Sequence, residues 1–168
     1  DLPSDQAVAV VVDAMRAGLR FENLATVVTR YRRHAASYTA TAYDSVVAQM
    51  HAIRGRVAAT YFPALSAGEC AALADALSSR ISGRQGWIDG VRALAHAASL
   101  VPAVPGIDAG NMMDRLAKQL IGFIGRGLKL GVADYDTLEA ITDGDQNLER
   151  WRAADSGVLD KRIMALFG

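Results

Sequence analysis

Apolar residues recur at intervals of three and four along most of this chain, a spacing that places them on one face of an α-helix. No run alternates between apolar and polar residues with a period of two, so no β-sheet is predicted. The pattern predicts an all-α fold, a compact irregular bundle of about seven to nine helices. The predicted helices cover roughly residues 4–18, 23–34, 39–61, 66–82, 85–100, 108–130, 136–144, the surroundings of Trp151, and 159–167.

Residues typical of helix ends mark several of these boundaries. Ser66 followed by Glu69 has the spacing of a capping box, in which each side chain bonds to the backbone amide of the other residue. Asp108 is placed to cap the long helix that extends to about Leu130, and Gly131 follows the end of that helix. Asp136 and Glu139 form a second predicted box.

Three of the predicted helices have well-defined apolar faces. The helix after Ser66 carries Cys70, Leu73, Leu77 and Ile81. The helix near 85–100 carries Trp87, Val91, Leu94 and Ala98. The helix near 108–130 carries Met112, Met113, Leu116, Leu120, Phe123, Ile124 and Leu128. This last helix also contains Gly122, Gly125 and Gly127, and each interior glycine costs about 1 kcal/mol. Such a cost predicts a compensating close approach of another chain segment, or a kink.

Composition narrows the class of protein. The 168 residues fit one helical domain, 1–168. Hydrophobic residues make up 51% and charged residues 21%, as in globular proteins. No stretch approaches the roughly 18 apolar residues of a membrane span. The chain begins at Asp1; if Asp1 is a processed terminus, the protein is exported, and otherwise the compartment stays open.

Charge is distributed unevenly although the net charge is zero. Between residues 15 and 60 there are seven arginines and two acids: Arg16, Arg20, Arg30, Arg32, Arg33, Arg54 and Arg56 against Glu22 and Asp44. Between 134 and 160 there are eight acids and two arginines, and the first five acids are Asp134, Asp136, Glu139, Asp143 and Asp145. Three explanations are open: an ordinary surface with internal pairing, association between copies, or phosphate contact by arginine.

The leading functional hypothesis is a non-enzymatic assembly or partner-binding protein, with a protein partner or a second copy of the chain. Its complementary surfaces would be the Arg-rich face of Arg30, Arg32, Arg33, Arg54 and Arg56, and the acidic face of residues 134–145. One alternative is a nucleic-acid-packaging or coat subunit that contacts phosphates through Arg30, Arg32 and Arg33.

Another alternative is an apolar-ligand or haem protein, for which His96 is the candidate ligand, with Met112 or Met113 nearby. His96 lies in an apolar helical stretch, where a partly buried structural histidine is also expected. No metal site and no resident cofactor is predicted. Asp143 to Asn147 resembles the beginning of a calcium loop, but Leu148 stands where that loop requires glycine, so a turn that caps the next helix is the favoured interpretation.

Catalysis has little support in the sequence. Cys70, the only cysteine, falls in the first turn of a helix, where the helix dipole lowers a thiol pKa. A cysteine in an alanine- and leucine-rich helix is nevertheless typical of a core. No nucleophile and base stand at a recognisable spacing, so the sequence favours a non-enzymatic protein without excluding a site assembled in space.

Overall fold

The computed structural model describes residues 6–19 and 43–154, and every regular element in these ranges is an α-helix. The all-helical prediction is therefore confirmed for this part of the chain. The predicted helices near 23–34 and 159–167 lie outside it. The described helices are α1 (Gln6–Arg16), α2 (Tyr43–Tyr61), α3 (Ala67–Leu77), α4 (Gly83–Ser99), α5 (Ala109–Lys129), α6 (Tyr135–Thr142) and α7 (Gln146–Ala154).

Local side-chain chemistry begins and ends several helices as predicted. The Ser66 hydroxyl accepts a hydrogen bond from the Glu69 amide, and the Glu69 carboxylate accepts one from the Ser66 amide, which completes the capping box of α3. The Asp108 carboxylate accepts from the Asn111 amide at the beginning of α5. Gly131 follows α5 with φ +65°, and the amides of Gly131 and Val132 bond back to the carbonyls of Leu128 and Gly127. This pair of bonds satisfies the last carbonyls of the helix.

Two predicted boundaries are wrong. The sequence pattern places the end of α3 at Ser82–Gly83, but the helix ends at Leu77, and Gly83 is the first residue of α4. Ser79 adopts φ +55°, and the Arg80 amide bonds to the Asp75 carbonyl. A serine therefore makes the left-handed turn that glycine usually supplies.

The second predicted capping box is also wrong. The N-cap of α6 is Asp134, whose carboxylate accepts from the Thr137 amide at 2.9 Å. Asp136 lies in the first turn of α6, where a negative charge interacts favourably with the helix dipole without capping it.

Helix α4 lies at the centre of the described structure and contacts α3, α5 and α7. The four residues predicted to point inward, Trp87, Val91, Leu94 and Ala98, are buried. On the other side of α3, helix α2 packs against it, and α1 contacts α2. The core cluster of buried apolar residues therefore joins α4 to its neighbours, and the hydrophobic effect favours this burial.

The contact between α4 and α5 includes two glycine–aromatic pairs. A Cβ atom at Gly127 of α5 would lie 2.0 Å from Trp87 Nε1, and one at Gly90 of α4 would lie 2.6 Å from the Phe123 ring. Each helix thus receives an aromatic ring from the other where it carries no side chain. The Trp87 indole also donates to the Phe123 carbonyl at 3.2 Å, which satisfies its buried N–H group.

Two residues predicted to be buried are exposed. Met113 on α5 and Leu77 on α3 have 41% and 40% of their surface accessible. Each lies at the margin of an apolar face, which is wider than the area that the neighbouring helix covers. Among the described residues, no helix combines the length and the apolar character that crossing a membrane requires.

The glycines of α5 provide a matched test of the close packing. Gly127→Ala places a methyl group 2.0 Å from Trp87 Nε1, so we expect the free energy of unfolding to fall by about 1–3 kcal/mol. A Cβ atom at Gly122 would meet no other atom within 4 Å, so Gly122→Ala on the same helix should raise stability by up to about 1 kcal/mol. Urea denaturation measures both changes. Equal effects of the two substitutions would show that the Trp87 contact does not constrain the helix spacing.

Candidate functional site

The arginines of the predicted Arg-rich face are only partly described, because Arg30, Arg32 and Arg33 lie outside the described residues. Arg54 is half-buried and donates a hydrogen bond to the Ser78 hydroxyl, which joins α2 to α3. Arg56 donates to the Asp13 carboxylate at 3.2 Å and so joins α2 to α1. Both described arginines are therefore engaged within the protein, and neither presents an unpaired guanidinium to phosphate.

The predicted acidic face divides into two groups. Asp134 and Asp145 act as helix caps: Asp134 bonds to Thr137, and Asp145 accepts from the amides of Asn147 and Leu148. The Thr137 hydroxyl also donates to Asp134, so these two bonds lower the pKa of this carboxyl group, with a smaller contribution from Arg84. These two acids thus have structural roles that the charge pattern alone does not reveal.

The other acids of this face are exposed. Asp136, Glu139 and Asp143 stand three and four positions apart, so they share one face of α6 and its C-terminal turn. None of them forms an ion pair or a side-chain hydrogen bond among the described residues. We call these three residues the acidic ridge.

A polar cleft of about 370 Å³ lies between α3, α4 and the beginning of α7. Asp89, Arg92 and His96 stand three and four positions apart on α4 and line one wall. Glu69 on α3 and Asp145 and Asn147 at α7 complete the polar lining. The remaining lining residues are small: Gly68, Ala72 and Ala93. The volume is within the range of small-molecule sites in proteins.

Glu69 is the most constrained carboxylate in this cleft. One of its oxygens accepts from the Ser66 amide at 2.8 Å and from the Ser66 hydroxyl at 2.7 Å. The other lies 2.6 Å from His96 Nδ1. The Ser66 hydroxyl, His96 and the Ser66 amide together lower the pKa of Glu69 from 4.5 to about 2. Glu69 is therefore ionised throughout the neutral range.

The state of Glu69 determines the tautomer of His96. An ionised carboxylate only accepts hydrogen bonds, so the 2.6 Å contact requires a proton on His96 Nδ1. In the neutral imidazole the lone pair is then on Nε2, the nitrogen that Glu69 does not contact. The His96 side chain is 29% exposed, so this ring reaches solvent from the cleft wall.

The opposite side of the cleft is joined to α4 by polar contacts. Arg92 Nε lies 3.9 Å from Asp145 Oδ2, and the Ser99 hydroxyl donates to Asn147 Oδ1 at 3.1 Å. The Arg92 side chain is 48% exposed, and its long contact with Asp145 is a weak one. The turn at residues 143–147 therefore serves as the cap of α7 and as a wall of the cleft.

The cysteine and the methionines lie apart from this polar lining. Cys70 is buried in the core, and its burial raises the pKa of its thiol, with a further increase from the Glu69 charge. Cys70 thus lies in the core, as the sequence favoured, and the alternative of a thiol activated by the helix dipole is contradicted. Met112 packs against the core and Met113 is exposed, and neither lines the cleft that contains His96. Neither methionine accompanies His96, and the haem alternative stays a prediction.

A second histidine pair joins α2 to α3. His51 Nε2 lies 3.0 Å from Asp75 Oδ1, and Arg80 Nε lies 3.7 Å from the same oxygen. Both facing atoms of His51 and Asp75 are shielded from solvent. In the described part of the chain, no group of three histidine, cysteine or acidic side chains converges into a metal site.

Sequence reasoning named His96 but missed its surroundings. The only local signal is the spacing of Asp89, Arg92 and His96, a polar stripe on a helix whose other face is apolar. Glu69 is recognisable in the sequence as a cap, but its contact with a histidine 27 positions away depends on how α3 packs against α4.

Comparisons of the chain with family models, curated proteins and solved structures found no match.

The charge on Glu69 can be tested through the pH dependence of stability. Because the pKa of Glu69 is lower in the folded than in the unfolded protein, the ionised carboxylate stabilises the fold above about pH 4.5, and this stabilisation is lost as the pH falls towards 2. Glu69→Gln keeps an acceptor for the Ser66 amide but removes the charge. We expect the difference in unfolding free energy between wild type and this variant to shrink between those pH values.

Urea denaturation at successive pH values measures this difference. Asp114→Asn is the control, since Asp114 is an exposed acid that pairs with Lys118 on α5, outside the cleft. A difference between wild type and Glu69→Gln that stays constant from pH 4.5 to pH 2 would contradict the assigned ionisation of Glu69.

Proposed function

We propose that this chain is a non-enzymatic partner-binding protein that binds a basic protein surface through the acidic ridge of Asp136, Glu139 and Asp143. The observation that carries the proposal is that three exposed acids share one face of α6 and its C-terminal turn. The three ridge acids have no intramolecular partner among the described residues, whereas Arg54, Arg56 and Arg92 each contact a side chain of another helix or turn. Like charges held together on one helix face repel each other, and a basic partner relieves that repulsion.

Two exposed apolar or aromatic side chains lie close in sequence to the ridge, and Tyr135 directly precedes Asp136. Leu130, at the end of α5, is 60% exposed, and Tyr135, the first residue of α6, is 46% exposed. Protein interfaces combine apolar and aromatic contact area with a charged rim. In this proposal the apolar residues supply contact area, and the acids select a basic partner and orient it.

The partner that the sequence offers is a second copy of the chain. Residues 15–60 carry seven arginines against two acids, and Arg30, Arg32 and Arg33 fall within four positions. Contact between this segment of one copy and the ridge of another would be head-to-tail, and would produce a ring or a filament rather than a two-fold dimer. Exposed charge pairs of this kind weaken as salt screens them.

Self-association can be measured by light scattering on a sizing column at about 20 mM and about 500 mM salt. We expect an oligomer at low salt that dissociates at high salt. The triple variant Asp136→Asn, Glu139→Gln, Asp143→Asn should be monomeric at both concentrations. A single change, Glu139→Gln, should weaken association more than the control Asp114→Asn, which removes an acid already paired with Lys118.

A monomer at both salt concentrations would overturn self-association. In that case, immobilised wild type and triple variant can be compared for binding of a basic protein such as histone H1. Equal binding by the two would overturn the role of the ridge.

A further inference from the structure

Helix α5 carries a row of basic side chains on the side that faces away from the core. Arg115, Lys118, Arg126 and Lys129 fall at helical spacing on one face of α5, with Gly122 in the middle, and all five residues are exposed. The buried residues of α5 lie on the opposite face. We call the four cations the basic stripe.

We propose that the basic stripe of one copy of the chain docks on the acidic ridge of a second copy. This inference rests on the proposed function, because it takes the ridge as a binding surface. It names a counterpart within the described residues, which differs from the arginines of residues 15–60. The argument for this occupant is the complementarity of charge between two exposed helix faces of the same chain.

The C-terminal half of the stripe has no partner of its own. Arg126 and Lys129 form no ion pair and no side-chain hydrogen bond among the described residues. Arg115 and Lys118, in contrast, each contact a polar side chain four positions before them on α5. Arg126 and Lys129 can therefore engage a second copy without giving up an existing contact.

The spacing of charges on the stripe matches that on the ridge. Arg126 and Lys129 stand three positions apart, as do Asp136 and Glu139. If α5 and α6 of two copies run in opposite directions, Lys129 lies beside Asp136 and Arg126 lies beside Glu139. Two neighbouring pairs of opposite charge select one register in addition to attracting the partner.

Gly122 leaves space for the third acid of the ridge. In the same register Gly122, four positions before Arg126, faces Asp143 of the second copy, which is four positions after its Glu139. A Cβ atom at Gly122 would meet no other atom within 4 Å. The cost of an interior glycine, about 1 kcal/mol, is therefore not offset by packing within the described chain. In the docked pair, Asp143 uses this space and lies between Lys118 and Arg126.

Charge reversal on each surface tests the docking. The stripe variant Arg126→Glu, Lys129→Glu and the ridge variant Asp136→Lys, Glu139→Lys each bring like charges together. Each should therefore be monomeric by light scattering at about 20 mM salt. An equimolar mixture of the two should form a mixed complex, because each reversed surface then meets a surface of opposite charge. Urea denaturation checks that each variant is folded, and Arg126→Gln, Lys129→Gln replaces a reversal that unfolds the protein.

A matched single substitution gives the size of the effect. Arg126→Glu should weaken self-association by roughly tenfold or more. Arg150→Glu reverses another exposed helical arginine that has no side-chain partner among the described residues, and it should leave self-association unchanged. Equal losses in the two variants would overturn the assignment to the stripe.

The outcomes separate this inference from the role of the ridge. A stripe variant that associates like wild type, beside a monomeric ridge variant, would overturn the docking and leave the ridge as a surface for another partner. A mixture that stays monomeric would overturn it too. So would wild type that is monomeric at low salt, and the comparison with histone H1 then decides the role of the ridge separately. Binding of duplex DNA that Arg126→Glu abolishes, without self-association, would assign the stripe to phosphate instead.

Discussion

The close contact of α4 with α5 is the constraint on which the rest of the described structure depends. Trp87 occupies the space above Gly127, and Phe123 occupies the space above Gly90, so each helix is held at a distance that only a missing side chain permits. The indole N–H bonds to the Phe123 carbonyl, which fixes the orientation of the ring as well as its position. Such interlocking defines a single rotation of α4 about its own axis, because any other rotation places a ring against a Cβ atom.

That rotation places the polar side of α4 where the cleft forms. Residues 87, 90, 91 and 94 face the core, and residues 89, 92 and 96 are displaced from them by two positions, or roughly 200° around a helix of 3.6 residues per turn. The polar residues of α4 thus meet Glu69 in the first turn of α3 and Asp145 at the beginning of α7. Glu69 and Asn147 contact His96 and Ser99 only because these three elements converge there.

Helix caps and the apolar faces of helices could be predicted from the sequence, whereas the side-chain contacts between helices could not. The box of Ser66 and Glu69 depends on residues three apart, so the sequence predicts it directly. The buried face of α4 follows from the spacing of its apolar residues, which recur every three or four positions. Which glycine of α5 receives an aromatic ring depends on the partner helix, so Gly122 and Gly127 look alike in sequence and differ in the structure. The pairs Glu69–His96 and His51–Asp75 join residues more than twenty positions apart, and no local pattern encodes them.

Glu69 links the first turn of α3 to His96 on α4. Glu69 contacts the Ser66 amide through one carboxylate oxygen and His96 through the other, so the first turn of α3 and the imidazole share one side chain. Because the two side chains are hydrogen-bonded, a change that orders the His96 ring also orders the Glu69 carboxylate. The Glu69 carboxylate in turn holds the Ser66 amide at the beginning of the helix. Opening of this first turn exposes those amides to exchange with solvent deuterium. Loss of the His96 imidazole would therefore be recorded in the exchange rates of amides near Ser66, although Ser66 does not contact that ring.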